Sequence, residues 1–401
     1  MSNKYIIAID GGTQSIKISI YDLKGNSVCQ SSLQLRPLSR PKVHVALHPD
    51  DDLWDSIVEA SQEVMRLFPY DPQDIIGIGL CTVRSCRALL KEDGSLASPI
   101  QSWMDKRLRS PYEHTDPNVK YVTTSSGYTT LRFTGERKDT AANHYGPWPM
   151  DYVQSNWIED QDEFERFNVK REMLFEVIEP GGILGYVTQE AAQETGVPEG
   201  IPVIATASDK AVEALSAGLA GENIGLISLG TYVTSMVSGK EFIKNSTHYW
   251  TNMACIPKTF LYESYGVPNG MNTVSWLRDL LGDEVALRAK ELGISAEELL
   301  NKEAENVPAG CYGLITVPNW LVLKNPYGRG IITGFEGRHK REHLYRSIIE
   351  GLSFNIVSNM TKMLDELDIN LNKVIVTGGG ANSNLFMQII SDILGKPTVR
   401  N

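Results

Sequence analysis

The residues with chemistry to offer begin at Asp10. Asp10-Gly11-Gly12-Thr13-Gln14-Ser15, with Lys17 just beyond, sets a carboxylate, two glycines, two hydroxyls and an ammonium close together. Glycines let a backbone turn sharply and approach a ligand. Hydroxyls, backbone N–H groups and a cation suit phosphate oxygens, and a carboxylate suits a hydrated magnesium ion. Gly12, Thr13, Ser15 and Lys17 are therefore phosphate candidates, and Asp10 is the Mg²⁺ candidate. Asp-Gly is also an ordinary hairpin turn, but a Gly-Thr pair recurs at Gly230-Thr231. Asp209 is a third chemical group. It ends a stretch read as a strand, Gly200–Asp209, and stands at the start of a helix, Lys210–Leu219, so it reads equally as an N-cap and as a general base.

Each group needs a scaffold. Tyr5–Ile9 is a short β-rich run, and Ile16, Ile18 and Ile20 alternate with polar residues, so Asp10–Ser15 is expected to join two strands. Gly225–Gly239 repeats the strand, Gly-Thr, strand pattern, which predicts two similar domains facing one nucleotide. A third strand over Ser27–Leu35 completes a meander. A helix opens at Pro49-Asp50-Asp51-Asp52, where acids crowd the first turn. Strand Ile75–Leu80 runs into Thr82–Arg87. A helix is expected to end on Gly135, and His144–Pro149 reads as an aromatic plug under a loop rather than a sugar platform. Residues 283–307 read as amphipathic and solvent-facing. Leu344, Ile348, Leu352, Ile356, Met360 and Leu364 mark one long helix with a buried stripe. Strand Lys373–Thr377 breaks into Gly378-Gly379-Gly380, then a helix from Leu385, where backbone can approach a ligand at a helix N-terminus. His339 and His343 lie four apart, but with no third ligand nearby they read as a solvated helix start. The domains are expected at 1–222 and 223–401.

Composition narrows the classes. The chain has 401 residues, 42% hydrophobic and 22% charged, with 38 basic against 49 acidic residues, a net charge of −11. That length argues for two domains. The negative charge argues against nucleic acid or an anionic membrane as the main partner. No apolar run reaches membrane-spanning length and the N-terminus has no signal-peptide pattern, so a cytoplasmic protein is expected. Five cysteines without a Cys-x-x-Cys pair predict reduced thiols rather than a metal site or disulfides.

Taken in order, these motifs resemble the FGGY family of carbohydrate kinases, and the resemblance covers nearly the whole chain. Asp10–Lys17 resembles the first phosphate loop and Ser228-Leu229-Gly230-Thr231 the second. Trp103-Met104-Asp105-Lys106-Arg107 resembles a W-x-D-x-R element. Asp209 with Ala211, Ala214 and Gly218 is similar to the catalytic aspartate and its helix, and Gly378–Ser383 to the adenosine motif. The resemblance implies an α/β fold of two actin-like, ribonuclease-H-like domains with an interdomain cleft. It implies transfer of phosphate from ATP, with Mg²⁺, to a hydroxyl of a small sugar or polyol. Asp209 would be the base and Asp10 the Mg²⁺ ligand, while Thr13, Lys17, Gly230 and Thr231 would contact phosphates. Gly270, Gly379, Gly380, Ala381, Ser383 and Asn384 would line the nucleotide. Arg84, Ser85 and Trp103 would face the sugar. Kinases of this fold often pair, so a homodimer is allowed.

Three features depart from the family pattern. The interval after Arg107 lacks a K-x-W-L-type signature, so Tyr145 and Trp148 are candidates to rebuild the sugar pocket. Met271 stands where relatives tend to place a glycine, and Gly270 precedes it. Relatives continue beyond the position of Asn401 into a small-residue helix that backs the nucleotide. The alternative to a kinase is a catalytically inactive actin-fold relative that binds nucleotide or sugar and regulates. The joint presence of Asp10, Thr13, Lys17, Asp209 and Gly230-Thr231 favours the kinase. A filament protein and an NAD enzyme fit less well, the latter because no G-x-G-x-x-G follows the first strand.

Overall fold

The computed structural model describes residues 4–219, 221–319 and 329–401. Ala220, which lies at the expected domain boundary, is outside them. The chain forms two compact units, Met1–Glu213 with Asn252–Thr259, and Ala214–Thr251 with Phe260–Asn401. The division falls inside the helix Asp209–Ser216. Among the described residues no helix is long and apolar enough to cross a membrane.

The first unit is built on β1 (Tyr5–Gly11), β2 (Ser15–Asp22), β3 (Ser27–Gln34), β4 (Ile75–Thr82), β5 (Ile183–Tyr186) and β6 (Pro202–Ala205). Their order is β5-β6-β4-β1-β2-β3. β1, β4 and β6 run parallel, so their C-terminal ends meet along one edge of the sheet. β1 and β2 pair antiparallel, with Asp10 opposite Lys17. Period-two patterning decides the faces. Ile7, Ile9, Ile16, Ile18 and Ile20 are all buried, packed with Trp54, Ile57 and Val64 of α1 (Asp52–Leu67). Each such side chain contributes about 1.5–3 kcal/mol on burial. Helix α2 (Ser125–Thr134) stops on Gly135, whose φ of 72° is the left-handed conformation expected there. Helix α3 (Asp209–Ser216) follows β6.

The second unit repeats the plan. Its strands are β7 (Ile224–Leu229), β8 (Val233–Gly239), β9 (Tyr249–Met253), β10 (Phe260–Ser264), β11 (Lys373–Thr377) and β12 (Thr398–Arg400), ordered β9-β10-β8-β7-β11-β12. β7 pairs antiparallel with β8 and parallel with β11, as β1 does with β2 and β4. Helices α4 (Gly270–Leu280), α5 (Asp283–Glu291), α6 (Ala296–Ala304), α7 (Arg341–Leu367) and α8 (Asn384–Leu394) complete it.

Residues 283–307 are amphipathic as expected, with most positions exposed. They form α5 and α6, which bury Val285, Ala289, Leu299, Leu300 and Ala304. The buried stripe of α7 is as expected, with Ile348, Leu352, Ile356 and Met360 fully buried. Ile348→Ala is expected to destabilise this unit by about 2–5 kcal/mol, because a close-packed core does not collapse around the lost atoms. Urea unfolding checks it; an unshifted midpoint would contradict the packing. All five cysteines are free thiols.

Candidate functional site

Ligands of parallel sheets gather where the C-terminal ends of strands open into loops. In the first unit those ends carry Asp10, the last-but-one residue of β1, the Thr82–Cys86 turn after β4, and Asp209 after β6. Asp10 lies 4.0 Å from Lys17 Nζ, both half exposed. Burial pushes the Asp10 carboxyl above its ordinary value, Lys17 pulls it back, and the charge of Asp209 raises it again. Burial also lifts the Cys81 thiol well above the ordinary thiol range, helped by the charges of Asp209 and Asp10. The charge of Asp209 thus acts on Asp10, and both act on Cys81 at the end of β4.

The loop between β1 and β2 is closed by Gly12 N–H donating to the Ser15 carbonyl at 3.1 Å. Neither Gly11 nor Gly12 has positive φ, so glycine serves close approach here rather than handedness. Ser15 opens β2. Trp103, 45% exposed, donates from Nε1 to Thr13 Oγ1 at 3.0 Å, which joins a sugar candidate to a phosphate candidate. Arg84 lies with its guanidinium carbon 5.7 Å from the centre of the Tyr145 ring. Ser85 takes φ 62°, uncommon for a residue with a Cβ, and so re-aims the turn after β4.

Other expected residues are held in structural roles. Asp105 is buried and accepts two hydrogen bonds from the Arg107 guanidinium and one from Ala46 N–H. Burial pushes its carboxyl up, but the Arg107 guanidinium and the backbone donors outweigh this and hold it below the usual range. Trp148, a candidate for the rebuilt pocket, is instead buried against His144 and Trp157. The aromatic stretch is the expected plug, and Tyr145 stands at its half-exposed rim.

The second unit holds a cavity of about 850 Å³. Gly230 and Thr231, between β7 and β8, line it with Gly379, Gly380, Ser383 and Asn384. Gly379–Asn382 form a single turn after β11, and Ser383 caps α8. Two expected contacts do not line the cavity. Ala381 is buried and gives its carbonyl to Arg400 Nε at 2.6 Å. Gly270 starts α4 against Val233. A Cβ added at Gly270 would stand only 2.3 Å from Val233 Cγ2, so the close approach that glycine permits is to protein. Met271 and Asn272 line the cavity in its place. Ser383 contributes less freely than expected, since its hydroxyl accepts from Phe386 N–H at 3.1 Å and donates to Asn301 Oδ1 at 2.6 Å. Asn301 belongs to the wall that sequence reasoning missed, the polar face of α6 with Glu297, Glu298 and Lys302.

Family comparison bears on both units. Residues 5–138 match the N-terminal domain of the FGGY family of carbohydrate kinases, and residues 225–401 match its C-terminal domain. The chain belongs to that family. An FGGY kinase is a phosphotransferase. A sugar kinase of Escherichia coli (strain K12), described as the uncharacterized sugar kinase YgcE, is 49% identical over all of this chain and 82% of its own length. The crystal structure of xylulose kinase from Rhodospirillum rubrum superposes with a TM-score of 0.84 at 22% identity, covering 99% of this chain and 87% of that one. Plasmodium falciparum glycerol kinase with ADP gives 0.82 at 17% identity, over 99% and 86%. These two likenesses establish the actin-like fold of this FGGY kinase.

Proposed function

We propose that this FGGY kinase transfers the γ-phosphate of ATP to a hydroxyl of a small sugar or polyol, in the range from glycerol to pentuloses. The observation that carries the reading is that the neighbouring parallel strands β1, β4 and β6 bring Asp10, the Arg84 turn and Asp209 to one edge of the sheet, with Trp103 bonded to Thr13 of the β1–β2 loop. Phosphoryl transfer asks for placement and charge neutralisation more than covalent chemistry by the protein.

In this reading Asp209 accepts the proton of the acceptor hydroxyl as its oxygen attacks the γ-phosphorus, and ADP leaves with the bridging oxygen. Arg84 and Ser85 hold the other hydroxyls, with Trp103 and Tyr145 as walls. Gly12, Thr13, Ser15 and Lys17 hold phosphate oxygens. In the second unit, the cavity lined by Gly230, Thr231, Gly379, Gly380 and Asn384 takes the nucleotide. One carboxylate within reach of a second fits a hydrated Mg²⁺ shared with phosphate, and Asp10 would hold it. When bound, that ion neutralises charge on the phosphates.

ADP release with Mg·ATP across polyols, ketoses, aldoses and sugar acids tests the proposal. Turnover dependent on one of these classes is expected; ATP binding with no turnover on any would favour the inactive relative. Arg84→Ala is expected to raise KM for the acceptor about tenfold or more, the scale of one lost charge-assisted hydrogen bond, and to leave KM for ATP near its original value. The reverse pattern would remove Arg84 from the acceptor site.

A further inference from the structure

Behind the strand ends of the first unit lies a polar hub with no place in the chemistry above. Asp139 is fully buried in a short strand, Lys138–Thr140, that packs against α2. Its Oδ1 accepts from Ser126 Oγ at 2.5 Å and Thr140 N–H at 2.7 Å. Its Oδ2 accepts from Thr123 Oγ1 at 2.9 Å, Thr124 N–H at 3.2 Å and Thr124 Oγ1 at 2.8 Å. His144 Nε2 lies 3.4 Å away. A buried carboxylate is tolerated when its acceptor sites are filled, and here each oxygen takes one backbone N–H. Backbone N–H groups cannot become acceptors. An amide in place of the carboxylate would therefore set an NH₂ against an N–H whichever way it turned.

The hub reaches the site along two routes. Thr140, held by Asp139 at its N–H, donates its hydroxyl to the carbonyl of Thr206. Thr206 follows β6 and lies three residues before Asp209, and its own hydroxyl donates to Leu80 O of β4 at 2.6 Å. Along the second route, Asn143 Nδ2 donates to Ser126 Oγ at 2.9 Å and to Thr82 Oγ1 at 3.0 Å. Thr82 ends β4, two residues before Arg84, and Ser125 Oγ also donates to it at 3.1 Å.

We propose that Asp139 is a positioning residue for phosphoryl transfer, which through Thr140 and Asn143 fixes the ends of β6 and β4 that present Asp209 and Arg84. The proposal rests on the kinase reading above. Displacing a catalytic group by about 1 Å can cost roughly a hundredfold in rate, so a hub that never touches substrate can govern kcat.

Asp139→Asn is a poor test, because the mismatch just described also threatens folding. Thr140→Val is the discriminating variant. It keeps the volume and leaves Asp139 bonded to Thr123, Thr124 and Ser126, and it cuts only the hydroxyl link to Thr206. The expected result is a kcat lower by about tenfold, an unchanged KM for ATP and a melting temperature within a few degrees of the parent. Thr140→Ser, which restores the hydroxyl, should return kcat to the parent value. Full kcat in Thr140→Val would overturn the proposal, and so would equal losses in the Val and Ser variants, since these would assign the effect to packing. A parent protein silent on every acceptor would instead sink the kinase reading. An active parent with Asp209→Asn silent and Thr140→Val at full rate would sink this inference alone.

Discussion

Asp209→Asn is expected to lower kcat by about 10²–10⁴-fold, the range that proton transfer by a positioned group contributes. The substitution keeps shape and removes the ability to take a proton. Asp209 opens α3 directly after the strand–loop that β6 delivers, so Asn also preserves whatever capping the side chain provides there. That choice separates the two readings of Asp209. As a cap alone, Asp and Asn are nearly equivalent and the rate should hold. As a base, the rate should collapse while the fold and ATP binding persist. Steady-state kinetics with a thermal melt alongside makes the comparison. Turnover within a few-fold of the parent would leave Asp209 as a cap.

Gly378→Ala is expected to have the largest effect on the cavity of the second unit. Gly378 sits at φ 82°, ψ 175°, a region open essentially to glycine alone. A Cβ there would meet the Leu229 backbone at 2.6 Å from its oxygen and 2.8 Å from its carbon. Leu229 ends β7 and leads into Gly230-Thr231, so the strained side chain would push one wall of the cavity against another. Conformational strain and the clash together should cost about 3 kcal/mol or more, a fall of roughly 6 °C or more in the melting of this unit. ATP should then protect it little against heat. Melting with and without ATP checks both parts, and a parent-like shift on adding ATP would contradict them.

The parts of this molecule that sequence disclosed share a property: their signal is local. Ile16, Ile18 and Ile20 show their strand by alternation, and Asp10–Lys17 shows its turn by glycine. The α7 stripe repeats at helical spacing from Leu344 to Leu364, within a helix of 27 residues. The Gly378–Gly380 break follows an apolar run and precedes a capped helix. What stayed hidden depends on partners distant in the chain. Asn143 and Thr82 are 61 positions apart, and Thr140 and Thr206 are 66 apart. Buried hydroxyls have no period of their own, so Thr123–Ser126 reads as ordinary polar sequence. Asp139 could have drawn attention as an acid set just before the apolar Ala141-Ala142, shortly after a helix stop at Gly135. The polar face of α6 misled for a related reason. A helix side facing a polar cavity has the same composition as one facing bulk solvent. Gly270 shows the limit of motif transfer, since a glycine near a ligand site can be there for its protein neighbour, Val233.

The most direct measurement follows the phosphate itself. ATP labelled in its γ-phosphate, incubated with this protein and the acceptor class that stimulates ADP release, should pass label into an acid-stable phosphate ester, one ester for each ADP formed. The same mixture with Asp209→Asn should retain the label in ATP. Label appearing only as inorganic phosphate, or transfer undiminished in the Asp209 variant, would contradict the account.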